Sequence, residues 1–347
     1  MNDHGWSAAA AITTLVFAFA IDVLVARPTL ACDICALHTS TVLDPPRPGF
    51  SIHLTEQYTS FNTYKATDGR SLPVDEWLQS SITNVVVGYG FVKPFRVELT
   101  APFINREFYR LKDQAIDRGD VSGLGDVTIL GRFTAVDRVL SDASLVRIEL
   151  FAGFELPTGD TDELEEEEED EDAEGASHSS GTPSATPLPK PRHGGHSGPT
   201  GIHDQDLALG SGSLDAILGI NAFATYRRFF GATGFQYAVR GNGDHDYRYD
   251  NDLSFHFGVG GYLLTHSVMS LGVEARLTGE TKGNDKQHGE TLTGSNLTAL
   301  YVGPQIHATY AERARFALGV QLPVLQNVSE LQLVPDYRIL ASVGWQF

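Results

Sequence analysis

The chain has 347 residues, with 25 Lys+Arg against 44 Asp+Glu and a formal charge of −19, a balance that argues against binding a nucleic-acid backbone. Apolar residues make up 41% and glycine fills 35 positions, which fits neither a disordered chain nor a multi-span helical membrane protein. Length alone allows two soluble domains, but one all-β barrel holds this many residues.

The chain opens on its one long apolar run, residues 8–26, which ends at Arg27-Pro28 and is followed by small residues at Thr29 and Ala31 just before Cys32. Residues 1–31 are expected to be a secretory signal peptide that directs export through the Sec pathway. A first stretch without Lys or Arg and Asp22 within the run keep a retained membrane anchor open, and cleavage before Cys32 keeps acylation of that cysteine open. Residues 32–49 are expected to form a periplasmic N-terminal segment. Its Cys32-Asp33-Ile34-Cys35 holds both cysteines of the chain, which suits a disulfide in an oxidising compartment. Ala36 stands where covalent haem attachment needs histidine. A metal-binding corner of Cys32, Cys35 and His38 is the alternative.

From Phe50 onward the chain alternates apolar and polar residues in segments of ten to fourteen, separated by Gly, Pro, Asn and Asp. Val146, Ile148, Leu150, Ala152 and Phe154 interleave with Arg147, Glu149, Phe151, Gly153 and Glu155. The same pattern sets Phe95, Val97, Leu99, Ala101 and Phe103 against Arg96, Glu98 and Thr100, and Leu271, Val273, Ala275 and Leu277 against Glu274 and Arg276. Alternation alone fits a soluble sandwich as well as a membrane barrel. The last segment favours the barrel, because Tyr337, Ile339, Ala341, Val343, Trp345 and Phe347 share one face. It resembles the terminal strand of bacterial outer-membrane barrels, whose final Phe serves as their assembly signal.

Twelve strands are predicted, at 50–61, 82–91, 94–104, 125–136, 143–156, 214–227, 230–241, 252–264, 268–279, 297–310, 313–323 and 336–347, an even number as a bacterial single-chain barrel requires. Short connections alternate with the longer stretches 62–81, 105–124, 157–213, 242–251, 280–296 and 324–335. The fold class is therefore all-β, a transmembrane antiparallel up-and-down barrel over 50–347. Residues 157–212 form its low-complexity acidic and His-rich extracellular loop.

In that loop Asp160, Asp162, Glu163, the unbroken acidic run 165–172 and Glu174 supply twelve carboxylates and so most of the net charge. A tract with His178, His193, His196 and His203 follows. Such a run cannot bury apolar area and is expected to be disordered. It reads either as a solvated spacer or as a trap for divalent cations, since carboxylates suit Ca²⁺ and Mg²⁺ and imidazoles suit Zn²⁺, Cu²⁺ or Ni²⁺. No other cofactor is expected.

The residues expected to line the lumen are Arg96, Glu98, Arg132, Arg147, Glu149, Arg240, His256, Glu274, Arg276, Gln305, His307 and Arg338. They either satisfy one another as ladders that hold the barrel's shape or form a polar constriction. Glycines on the same face, Gly88, Gly90, Gly258, Gly260 and Gly303, are expected to leave room in the lumen. A barrel of this size encloses a narrow channel, which side chains or the 32–49 segment can plug.

Three short motifs add a family resemblance. Gly123-Leu124-Gly125-Asp126 opens a strand, Leu156-Pro157-Thr158-Gly159-Asp160 closes the next and Gly210-Ser211-Gly212-Ser213 opens the one after. In that order they resemble the outer-membrane transporters named for the MetA pathway of phenol degradation, over residues 50–347. The resemblance implies a barrel that passes small molecules and identifies neither a substrate nor a binding residue. The expected function is a channel or transporter in the bacterial outer membrane, in contact with its lipid, assembled by the barrel-assembly machinery through the strand ending at Phe347, and passing a small molecule or an ion, such as a metal ion or an aromatic compound. A structural or adhesin-like surface protein is the alternative. An enzyme is not expected: a hydrolase would need a catalytic constellation, and the nearest cluster, His245 between Asp244 and Asp246, lies in a stretch that reads as a turn.

Overall fold

The computed structural model describes residues 47–112, 115–141, 143–164, 202–292, 294–329 and 331–347. In chain order the strands are β1 (Gly49–Lys65), β2 (Ser71–Val92), β3 (Phe95–Lys112), β4 (Ala115–Leu124), β5 (Val127–Ser141), β6 (Ser144–Leu156), β7 (Asp215–Tyr226), β8 (Phe229–Val239), β9 (Tyr247–Arg248), β10 (Asp252–Thr265), β11 (Met269–Lys282), β12 (Lys286–Gln287), β13 (Glu290–Thr291), β14 (Leu297–Tyr310), β15 (Ala314–Val328) and β16 (Gln332–Gln346). β4 and β5 are two halves of one staircase beside β3, so the wall is a closed antiparallel barrel of twelve strands. Closure comes from β1, which pairs with β2 on one side and with β16 on the other, from Ser51 opposite Gln346 to Lys65 opposite Gln332. No sheet edge is left to be satisfied by lipid, the condition for a strand-built membrane structure.

The alternation read from the sequence is the alternation of the wall. Ile52, Leu54, Val97, Leu99, Ile129, Leu150, Leu218, Val259, Val273, Val302, Leu318, Ile339 and Val343 all point out and are exposed, an apolar surface far larger than a water-soluble protein carries. Near the end that holds Gly49 and Phe347, here the terminal end, Phe50, Phe91, Phe95, Tyr226, Phe229, Tyr310 and Phe347 are exposed as a ring of aromatics, as at a membrane–water interface. The connections at this end are tight. At Ala311-Glu312 both residues adopt positive φ, 50° and 57°, the twist a two-residue hairpin needs.

Every predicted strand is present, but three of the expected loops are largely strand, 324–335 lying mostly in β15 and β16. The stretches 62–81 and 105–124 lie largely in β1–β2 and β3–β4 hairpins that continue past the apolar belt. Their outward faces mix polar residues with Leu72, Leu111 and Ile116, which reads as loop, while their inward faces carry large apolar side chains among buried Glu76, Arg106 and Arg110. Phe61, Tyr64, Leu78, Phe108 and Leu333 bury together with Ile202 and Leu207 from the long loop. Similarly, β5 runs on to Ser141 through what the sequence suggested was a connection.

A bulge separates β4 from β5. Phe103 faces Leu124 and Thr100 faces Thr128, so the β5 side carries one extra residue, Gly125-Asp126 interrupts the pairing and the inward parity switches from odd to even. Both Gly125 and Asp126 are buried as a result. At the far end β9, β12 and β13 form a small separate sheet over the loops. Beside it Asp285 accepts from Tyr247 and Lys282, at 2.8 and 2.6 Å. Burial pushes the Asp285 carboxyl above the usual range, and Lys282 pulls it back.

Candidate functional site: the barrel lumen

Every residue expected to line the lumen is found on the inner face, where a pleated wall sends alternate side chains. All but Gln305, which lies beside Gln57 and Ala317, fall into four groups.

The first lies across β3, β5 and β6 in the half nearer the termini. Arg132 donates to Glu98 and, at 2.8 Å, to Glu149, while Arg96 pairs with Glu98 at 2.8 Å. All three partners of this ladder besides Arg96 are buried. Next to it, Arg147 binds Asp137 at 2.9 Å.

The second group, farther from the termini, centres on Arg240. This one guanidinium holds Glu155 and Asp215, each at 2.7 Å, and Asp252 at 2.8 Å. The third is Arg338, which binds both oxygens of Glu280 at 2.7 and 2.9 Å and lies 4.1 Å over the Tyr301 ring, whose hydroxyl donates to the same carboxylate.

The fourth spans β7, β8, β10, β11 and β14 in the terminal half. Glu274 accepts from Arg276 Nε at 3.0 Å through one oxygen and pairs with His307 Nε2 at 2.6 Å through the other. Beside this trio lies a cavity of about 110 Å³, lined also by Asn221, Phe223, Phe230, His256, Tyr262, Ser270 and Thr309. Phe230 sits at its centre, 5.0 Å from the Tyr262 ring and 6.1 Å from those of Phe223 and His307.

The inward glycines do not hold an open bore. A Cβ on Gly88 would lie 2.5 Å from Ser51 Oγ and 3.4 Å from Glu98 Cγ, and one on Gly258 would lie 3.1 Å from Glu274 Cγ. The room they leave is taken by the acidic stems of the ladders themselves. Gly90 and Gly303 instead lie close to backbone, at Pro48 and Gln321, and Gly260 packs against the Phe230 ring.

At the far end, the returning arm of the long loop enters the barrel. A single 3₁₀ turn at Asp204–Asp206 leads into Leu207, Ala208 and Leu209, all buried. Arg106 donates to the carbonyl of Ala208 at 2.6 Å, and Arg110 pairs with Asp204 at 2.6 Å. The expectation that all of 157–212 is a spacer therefore fails for 157–164 and 202–212. The second stretch carries an apolar trio and meets two buried arginines.

The three glycine-containing motifs explain how it is held, because they converge. Asp126 Oδ1 accepts from the backbone of Thr158 at 3.0 Å and Gly159 at 2.9 Å, and Oδ2 accepts from Ser211 N at 2.7 Å and Ser211 Oγ at 2.8 Å. Thr158 Oγ1 donates in turn to the Gly125 carbonyl. Glycine is needed at the crossing: a Cβ on Gly159 would lie 2.6 Å from Gly210 Cα, and one on Gly123 would lie 2.9 Å from Leu209. One buried carboxylate thus ties the wall to both arms of the loop.

Of the expected metal ligands, Cys32, Cys35, His38, His178, His193 and His196 lie outside the described residues. His203 precedes the 3₁₀ turn and its backbone N–H donates to Asp206 at 3.1 Å. Among the described residues, no group of three His, Cys, Asp or Glu side chains is placed to hold a metal ion. His245 occupies a turn between β8 and β9 at φ 56°, as its Asp-rich setting suggested.

The sequence reading missed Phe223, Phe230 and Tyr262, because aromatics in an alternating strand read as lipid-facing. It also missed Asp126, although its place inside Gly123-Leu124-Gly125-Asp126 was a usable signal.

A solved structure shares this architecture. The COG4313 outer membrane channel from Pseudomonas putida F1 superposes with a TM-score of 0.53 at 12% identity, over 88% of this chain and 100% of that one. That channel is of the phenol-degradation transporter family that the three motifs resemble, so the resemblance holds at the level of fold. The beta domain of the Bordetella autotransporter BrkA has a TM-score of 0.42 at 9% identity, over 87% and 100% of the two chains. A Pseudomonas aeruginosa FadL homologue has 0.38 at 8%, over 92% and 99%. No family model and no curated protein matches the sequence.

Proposed function

We propose that the chain is a solute channel of the bacterial outer membrane, with its termini toward the periplasm and residues 202–213 seated in the extracellular mouth. The observation that carries this reading is the contrast between the two faces of one wall. The outside is a predominantly apolar belt, and the inside is lined with charged side chains, a cavity and aromatic rings. A wall of that kind has lipid on one side and a polar path on the other. The solutes it suits are small: the cavity on the wall of the terminal half has room of about 110 Å³. That room favours a small organic compound over a bare metal ion, because its walls are as much aromatic as charged.

A second reading, a structural surface protein, draws support from the buried loop arm that fills the far mouth. Planar bilayers separate the two. Purified, folded protein is expected to give small, discrete conductance steps. A folded barrel that gives none, in several salts, overturns the channel and leaves the structural reading.

A further inference from the structure

Buried polar atoms without a hydrogen-bond partner among the described residues occur elsewhere in the lumen, as at Ser80 and Asn84, but between β7, β8, β10, β11 and β14 they lie on the wall of a cavity. Arg276 spends Nε on Glu274, and among the described residues its terminal nitrogens make no further hydrogen bond. Glu274 is committed on both oxygens, to Arg276 and to His307. The acid is thus neutralised, while one edge of the guanidinium remains on offer. Arg315, buried and cross-strand from Thr309 on the cavity wall, adds a second positive group to this region.

Two further atoms are unmatched. Asn221 and His256, 3% and 5% exposed, carry Oδ1 and Nδ1 with no hydrogen-bond partner among the described residues. They meet over Gly234: a Cβ there would lie 2.6 Å from the His256 ring and 3.1 Å from its Nδ1. Buried polar atoms are ordinarily paired, and an unpaired couple on the wall of a cavity marks a place where something else does the pairing. A hydroxyl suits both, donating to Asn221 Oδ1 and accepting from His256 Nδ1–H.

Between these polar ends stand Phe223, Phe230 and Tyr262. Their rings form a tilted stack about Phe230, which offers faces and edges to a flat apolar body. The volume, about 110 Å³, is of the order of the ~150 Å³ cavity that accepts a benzene ring. A planar carboxylate is the natural occupant of an open guanidinium edge, because it takes two parallel N–H donors at once.

We infer that this cavity is a binding site for a small hydroxylated aromatic carboxylate, with the carboxylate on Arg276, the ring against Phe230 and the hydroxyl between Asn221 and His256. This deepens the channel reading and rests on it, since the ligand reaches the cavity through the lumen.

Calorimetric titration of the full chain in detergent micelles tests it, with 4-hydroxybenzoate as probe and benzylamine as a cationic control of the same size. Saturable binding of 4-hydroxybenzoate at one site is expected, and none of benzylamine. Arg276→Gln is expected to weaken binding by about tenfold or more, the loss of a charge-assisted pair. Ser270→Phe, which fills the cavity from its rim and leaves the Glu274 trio intact, is expected to abolish it. Folding of both variants is checked by the heat-dependent gel shift of a closed barrel. Equal heats for the acid and the amine, or unchanged affinity in folded Ser270→Phe, overturn the site. Bilayer recordings keep the two readings apart: conductance without saturable binding removes the site and leaves the channel, and saturable binding without conductance removes the channel and leaves the site.

Discussion

In the half of the lumen nearer the termini, two sectors of the wall are built from the same residue types and end in opposite states. Across β3, β5 and β6, Arg96, Glu98, Arg132 and Glu149 pair with one another, and the Glu98 stem fills the space that Gly88 leaves. Across β7 to β14, Glu274 is also satisfied by Arg276 and His307, but the sector places Phe223, Phe230 and Tyr262 where the other places a second acid–arginine pair, and a cavity remains. Charge on an inner wall therefore does not by itself make a site. What distinguishes the two is packing: charged stems fill the one sector, while aromatic rings line a cavity in the other.

That contrast can be broken in graded steps. The largest effect is expected in the closed sector: Arg132→Ala leaves Glu98 and Glu149 buried with Arg96 alone and should cost about 3–5 kcal/mol, read as a lowered denaturant midpoint of the refolded barrel. Next comes Asp126→Ala, which removes the acceptor of four hydrogen bonds. It should cost about 3 kcal/mol locally and release residues 202–213, so that a protease cuts there and single-channel conductance rises while the barrel stays folded. Unchanged conductance with confirmed cleavage would show that this arm does not obstruct the bore.

A smaller change is expected from Phe230→Leu in the open sector. It removes the hub of the aromatic stack and should cost about 1–2 kcal/mol, with little effect on the closed sector. Excision of residues 165–201 should change the denaturant midpoint least, by under about 0.5 kcal/mol, while removing the whole acidic run 165–172. If loss of those carboxylates and histidines also leaves Zn²⁺ and Ca²⁺ binding by the whole protein unaltered, the cation-trap reading of the loop fails.

Much of this was legible in the residues. Period-two alternation fixes which side chains face in, so the ladder members could be named before their partners were known. The partners could not, because register between strands decides whether Arg132 meets Glu98 or another acid, and no single strand records it. The hairpins beyond the apolar belt escaped notice since a strand outside the membrane loses its greasy face and resembles a loop. The arm at 202–213 escaped because Gly, Ser and His dilute its signal, although Leu207-Ala208-Leu209 in so polar a tract was an anomaly that called for a buried partner. The bulge at Gly125-Asp126 hid the latch: alternation counted through it assigns the wrong face to every residue on one side.

The contact between Gly159 and Gly210 also sets how the protein tolerates change. Departure and return of the chain are pinned at one spot on the rim, so the ends of any insertion between them are already held together. Lengthening such a loop costs only about 0.6 kcal/mol per doubling. Foreign sequence placed within residues 165–201 is accordingly expected to leave the barrel folded and, in the orientation proposed above, to be displayed outside the cell.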